Sequence, residues 1–250
     1  MLKTNKLKEK LQTGAPVIGT LSIIPSPVVA DILAASGLDF VVIDAEHGPI
    51  SFETAQTMAM ACETRGVTPL MRVGGVIQSE ILRALDIGMH GIHIPNIVDY
   101  KDIEKIAEFS KYPPMGNRGF SPFTRTGGYC GTNGAKLVGE ANNNTLNIIH
   151  IEGIDAINNI DKILKYDCLD IIFIGLFDLS KALGKPGQIN DPEVIGHLSD
   201  LTKKIRASGR FAGTIATSKE QMKSFIEMGV RYILYSVDCD MFRKAYADIL

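Results

Sequence analysis

The sequence predicts an α/β protein: a (β/α)8 TIM barrel, a single domain over residues 1–250. Three observations predict it. Short runs rich in β-branched residues alternate with amphipathic segments along the whole chain. Those runs are nearly continuous in apolar residues, as strands of a parallel sheet buried on both faces are. The 250-residue length accommodates eight such units in one barrel. An open doubly wound sheet is the competitor, but no GxGxxG follows the first strand.

In chain order the expected strands are VIGTLS from Val17, FVVID from Phe40, TPLMRV from Thr68 and GIHIP from Gly91. LNIIHIE from Leu146, DIIFIG from Asp170, FAGTIA from Phe211 and RYILYS from Arg231 complete the set. Between them SPVVADILAASG, SFETAQTMAMACETRG, SEILRALDIG and SKEQMKSFIEMG carry helical periodicity and end in glycine, as helix C-termini do. The irregular stretch is Tyr112 to Asn133, rich in Gly and Pro, and such a segment is usually functional or mobile.

Bulk properties exclude several classes. A net charge of −2 with scattered Lys and Arg offers no electrostatic case for nucleic acid or an anionic membrane. No apolar run is long enough to span a bilayer, and the polar N-terminal stretch lacks a signal-peptide core, so a cytoplasmic protein is expected. Cys62, Cys130, Cys168 and Cys239 form no CxxC pair and are expected to be reduced thiols.

In such a barrel the active site gathers where the strands end. The second strand ends in Asp44, Glu46 and His47, the third in Arg72, the fifth in Glu152, and the sixth runs into GLFDLS with Asp178. Glu152 and Asp178 suit a hard divalent ion that keeps positions open for water and a chelating 2-oxo acid. Their plain alternatives are a helix cap and a first-turn acid. His47 can act as general acid/base, with Asp44 orienting its ring, or be an ordinary loop residue. Arg72 can clamp a carboxylate or a developing oxyanion, or make a surface ion pair. His150, two residues before Glu152 and on the same strand face, lines the pocket or packs in the barrel. Arg118 is a candidate anion contact from the long segment. His90 and His93 have no evident partner and read as structural, and His197 as helical surface.

These residues in this order resemble the metal-dependent class II pyruvate aldolases of the HpcH/HpaI family, within the phosphoenolpyruvate/pyruvate barrel superfamily. The resemblance spans nearly the whole chain: VVIDAEHGP, LMRV, LDIG, HIPN, YPPMGNRG, IHIEG, FIGLFDLSKALGKPGQ and GTIA. It implies a barrel, usually hexameric, with its C-terminal helix exchanged between subunits. It also implies a Mg²⁺, Mn²⁺ or Co²⁺ ion on Glu152 and Asp178, His47 as base assisted by Asp44, and Arg72 stabilising an enolate. Asp86 matches an acid that neighbouring subunits bring near the active site, and Glu46 is a supporting residue. Gly175, Leu176, Phe177 and Asp178 match the turn whose amides receive the pyruvate carboxylate. The sequence departs from the pattern at His150, often Gln, at Gly175-Leu176, often Gly-Pro, and at Phe177, often smaller. These changes fall on the side of the pocket that would take the acceptor aldehyde.

The expected activity is reversible cleavage of a 4-hydroxy-2-oxo acid to pyruvate and an aldehyde. Related enolate chemistry with another partner, as in a citrate synthase or acyl-CoA lyase, is the second enzymatic reading. A noncatalytic barrel that binds a 2-oxo acid is the reading from another class, and it predicts that His47→Ala leaves function untouched.

Overall fold

The computed structural model describes residues 4–131 and 134–250. After the helix α1 (Lys6–Gln12), the chain alternates β1 (Val17–Ser22), α2 (Pro27–Ala35), β2 (Phe40–Asp44), α3 (Phe52–Thr64), β3 (Thr68–Arg72), α4 (Gln78–Asp86) and β4 (Gly91–Ile94). There follow α5 (Lys101–Ser110), α6 (Gly134–Asn144), β5 (Leu146–Ile151), α7 (Ile154–Asn158), α8 (Ile160–Ile163), β6 (Ile171–Ile174) and α9 (Leu176–Ala182). The last third holds α10 (Pro192–Ala207), β7 (Phe211–Ala216), α11 (Lys219–Met228), β8 (Tyr232–Val237) and α12 (Asp238–Ala247). All strand pairs are parallel and the sheet closes β1 through β8 in sequence order. The barrel expectation holds, with strand ends within a residue or so of those read from the sequence.

Local chemistry sets the helix ends. Ser26, Ser51 and Ser218 each accept a backbone N–H three residues on, and Pro27 and Pro192 occupy first helical positions where no N–H is needed. α11 stops at Gly229, whose φ of 108° is open to glycine but strained for other residues.

Two apolar layers result from the period-2 alternation of the strands. Outward residues such as Val41, Ile43, Met71, Ile92, Ile149 and Ile172 pack against the helices. Inward residues, including Phe40, Val42, Leu70, Ile148, Phe173 and Tyr232, fill the barrel, and Leu7 and Leu11 of α1 close its lower end. The same parity carries Asp44, Arg72, His93 and His150 to the interior. On β2 the inward series is Phe40, Val42, Asp44; on β5 it is Leu146, Ile148, His150, then Glu152 beyond the strand.

The long segment after α5 corrects one expectation. It packs against the C-terminal end of α4: Arg118 Nη2 bonds Asp86 Oδ1 at 2.6 Å, and the Thr126 amide bonds the Asp86 carbonyl at 3.2 Å. Arg125 reaches the Ile87 carbonyl at 3.3 Å and pairs with Glu63. α4 runs antiparallel to the strands, so this end lies opposite the mouth formed by the strand C-termini. Arg118 is buried and engaged there, and does not reach an anion at its own chain's mouth. Thr132 and Asn133, the end of the expected irregular stretch, lie outside the described residues.

Candidate active site

Asp44 and Arg72 are register partners on adjacent strands, so their side chains leave the sheet side by side. The guanidinium meets the carboxylate through two bonds, Nε to Oδ1 at 2.7 Å and Nη2 to Oδ2 at 2.6 Å. Asp44 is wholly buried and also accepts the Glu46 amide at 3.1 Å. Burial works against the charged guanidinium, but the hydrogen bond and charge of Asp44, with Glu46 and Glu152, hold Arg72 above its ordinary pKa. Asp44 is therefore the positioner of Arg72. It does not orient His47, which follows the strand in an exposed turn and has no hydrogen-bond partner among the described residues. Strand register decides this: a side chain at the matching position of the next strand is nearer than one three residues along a turning chain.

Arg72 Nη1 continues to Glu46 Oε2 at 3.1 Å. Glu46 Oε1 accepts Asn96 Nδ2 at 3.2 Å, while the Asn96 amide donates to Glu152 Oε2 at 3.0 Å. Asn96 ties the two carboxylates together from a left-handed conformation (φ 57°) that asparagine tolerates. Its place was not read from the sequence, although an Asn directly after Pro at a strand end, as in HIPN, is a local signal for such a turn. Burial raises the Glu46 carboxyl, with Arg72 and His47 opposing and Glu152 adding to the rise. Burial acts in the same sense on Glu152, but there the hydrogen bond and charge of His150, the Asn96 amide and Arg72 outweigh it, and the carboxyl lies below its usual value.

Glu152 and Asp178 line one cleft of about 290 Å³ with Asn96, Ile97, Val98 and Lys181. Asp178 is in the first turn of α9, half-exposed, with Lys181 Nζ 3.8 Å away. Leu176 is buried and Phe177 is half-exposed. Gly175 is required by close approach: a Cβ there would stand 2.9 Å from Glu152 Cγ. Among the described residues no three His, Cys, Asp or Glu side chains are grouped to hold a metal by themselves. The residues present nonetheless fit a hard divalent ion. The donors are carboxylate oxygens on an open cleft, and Glu46, tied to Glu152 through Asn96, keeps a buried Oε2 without a hydrogen bond despite its ion-pair distance to Arg72.

His150 is packed within the barrel, one of the two roles its position allows. Both ring nitrogens are engaged, Nδ1 with Glu152 Oε1 at 3.0 Å and Nε2 with His93 Nδ1 at 2.9 Å, so the ring backs the carboxylate and offers no free nitrogen to a substrate. His93, read from the sequence as structural and without a partner, continues to the Tyr232 hydroxyl at 2.7 Å. The signal for this contact was the shared inward parity of His93, His150 and Tyr232. Burial, then the charges of His150 and Arg72, hold His93 well below the usual histidine range, and burial raises the Tyr232 phenol well above its own. Burial pushes the Cys62 thiol up to about 12 and that of Cys168 to about 11. No helix among the described residues is long and apolar enough to cross a membrane.

The molecule is a closed parallel (β/α)8 barrel whose mouth carries a buttressed arginine and an exposed histidine, with the acids Glu152 and Asp178 lining a cleft. The chain belongs to the HpcH/HpaI aldolase/citrate lyase family, whose model matches residues 23–245. It is 30% identical over 241 residues to 5-keto-4-deoxy-D-glucarate aldolase of Shigella sonnei (strain Ss046), covering 96% of this chain and 93% of the relative. Among solved structures it is similar to citrate synthase SbnG (TM-score 0.87, 32% identity, covering 97% of this chain and 95% of that one). It is likewise similar to the HpcH/HpaI aldolase of Desulfitobacterium hafniense DCB-2 (TM-score 0.91, 29% identity, covering 97% and 94%). These relatives are enzymes of carbon–carbon bond chemistry, and the chain is an enzyme of that broad class.

Proposed function

We propose that the protein is a divalent-metal-dependent aldolase that reversibly cleaves a 4-hydroxy-2-oxo acid to pyruvate and an aldehyde. The observation that carries this reading is the cleft itself: Glu152 and Asp178 line it together, and Arg72, held by Asp44 and Glu46, is linked to Glu152 through Glu46 and Asn96. A Mg²⁺, Mn²⁺ or Co²⁺ ion held by Glu152 and Asp178 would supply Lewis-acid polarisation of the 2-oxo group.

The remaining steps belong to the chain's own residues. The first amides of α9, at Leu176, Phe177 and Asp178 after Gly175, have no acceptor within the helix and face the carboxylate end of the substrate. His47 takes the C4 hydroxyl proton as the C3–C4 bond breaks, C4 leaves as the aldehyde carbonyl, and the bonding pair moves to C3–C2 to give the enolate. Arg72 presents fixed positive charge to the enolate oxygen, and its two bonds to Asp44 remove the need to reorganise as that charge develops. His47 then returns the proton to C3, which gives pyruvate. With Asp44 committed to Arg72, the partner proposed for His47 is Asp86 of another copy, which would share its bond to Arg118 of its own chain to take that place. A hexamer that exchanges C-terminal helices accords with the exposed Met241, Phe242 and Tyr246 of α12.

Purified protein with Mn²⁺, offered a panel of 4-hydroxy-2-oxo acids including sugar-acid derivatives, is expected to release pyruvate and to lose activity on chelation. No turnover across the panel with metal bound would overturn the reading. The likeness to citrate synthase SbnG favours one second reading, an enolate joined to another carbonyl partner. Condensation with oxaloacetate and binding of CoA esters, measured on the same preparation, separate the two.

A further inference from the structure

From the mouth, a line of polar contacts runs down into the barrel core, and its length is out of keeping with its surroundings. Glu152, His150, His93 and Tyr232 are joined by contacts of 3.0, 2.9 and 2.7 Å, and the last three side chains are buried among Phe40, Phe173 and other interior residues. Buried polar groups in such a place need partners, and here each finds them in its neighbours along the line.

The ends of the line fix its direction. The ionised Glu152 carboxylate only accepts, so His150 donates from Nδ1. At the other end the Tyr232 hydroxyl, buried with His93 Nε2 as its partner, donates to that nitrogen. His93 then carries its hydrogen on Nδ1 and donates it to His150 Nε2. The reverse order would set an N–H of His93 against that hydroxyl, whose hydrogen has no other acceptor among the described residues. Burial favours neutral His93 and an intact Tyr232 phenol.

We propose that Tyr232, His93 and His150 are positioning residues that form a one-directional hydrogen-bond chain fixing the Glu152 carboxylate from the barrel core, with both imidazoles in the Nδ1–H tautomer. The chain donates toward Glu152 at every link. It sets which Glu152 oxygen faces the ring and leaves Oε2 to the Asn96 amide. Its purpose rests on the proposed function, in which Glu152 holds a divalent ion; the tautomers do not.

Long-range ¹⁵N NMR of the labelled, metal-free protein tests the direction, and Mn²⁺ titration tests the purpose. Both rings are expected as Nδ1–H, the minor form of histidine in water. His93→Leu and His93→Asn are near-isosteric and differ in the N–H that faces His150. The Leu variant is expected to bind Mn²⁺ about tenfold more weakly, and the Asn variant to recover most of that loss. Either ring found as Nε2–H in the wild type, or equal Mn²⁺ binding by the two variants, would overturn the proposal. If the Leu variant does not fold, the wild-type spectrum alone decides the direction. Glu152→Gln is the control: Mn²⁺ binding unaffected by it would remove the metal assignment, and the tautomer result would stand apart.

Discussion

Glu46 occupies a position where a carboxylate is costly to the fold. Its carboxyl lies above the usual value because burial outweighs Arg72 and His47, and Glu152 nearby adds to the rise. The sign follows from linkage. A folded acid with a raised pKa favours the neutral form, so stability falls as pH rises from the ordinary carboxylate range through the folded value. Glu46→Gln removes that loss. Its melting temperature, metal-free and above that window, is expected to exceed the wild type's by about 2 °C and to match it at acidic pH, while turnover falls. An unchanged difference across pH would remove burial strain as the cause. At this scale the sequence shows which residues reach the mouth but not their pairing. Asp44, Glu46, His47 and Arg72 are visible as charges at strand ends. That Asp44 serves Arg72 and not His47 depends on the β2–β3 register, which links residues 28 positions apart.

Among the elements, strands and helix ends are legible because each is written locally, in alternation, capping serines and terminal glycines. The side of the barrel on which a loop lies is written in topology. The segment from Tyr112 joins α5 to α6 ahead of β5, so it belongs to the lower end, where Arg125 joins His90 in holding Glu63. Burial tends to raise the Glu63 carboxyl, but the hydrogen bonds from His90 and Arg125 prevail and bring it down to about 2. Stability from this cluster is complete above the unfolded value of 4.5 and is lost as pH falls toward about 2, changing by at most about 1.4 kcal/mol per pH unit. Denaturant melts from pH 7 to pH 2.5 are expected to show this loss, and Arg125→Ala to move it to higher pH. Identical acid profiles for the two proteins would show that the ion pair contributes nothing.

Over the whole molecule, the barrel converts distant sequence positions into one line of contact. Asp44, Arg72, Glu46, Asn96, Glu152, His150, His93 and Tyr232 come from β2, β3, β4, β5, β8 and the loops at their ends, and each touches the next. The upper part of this line was foreseeable from charges that cluster at strand ends. The lower part was not, because His93, His150 and Tyr232 each sit in an apolar run where a polar residue reads as packing. Only closure of the sheet brings β4, β5 and β8 to a common interior. The proposed function makes Glu152, midway along this line, a cation-holding carboxylate, and Arg72 an oxyanion-stabilising group. In a crystal soaked with Mn²⁺ and pyruvate, an anomalous peak touching both Glu152 and Asp178, with Arg72 at the keto oxygen, is expected, and a metal bound anywhere else would overturn the assignment.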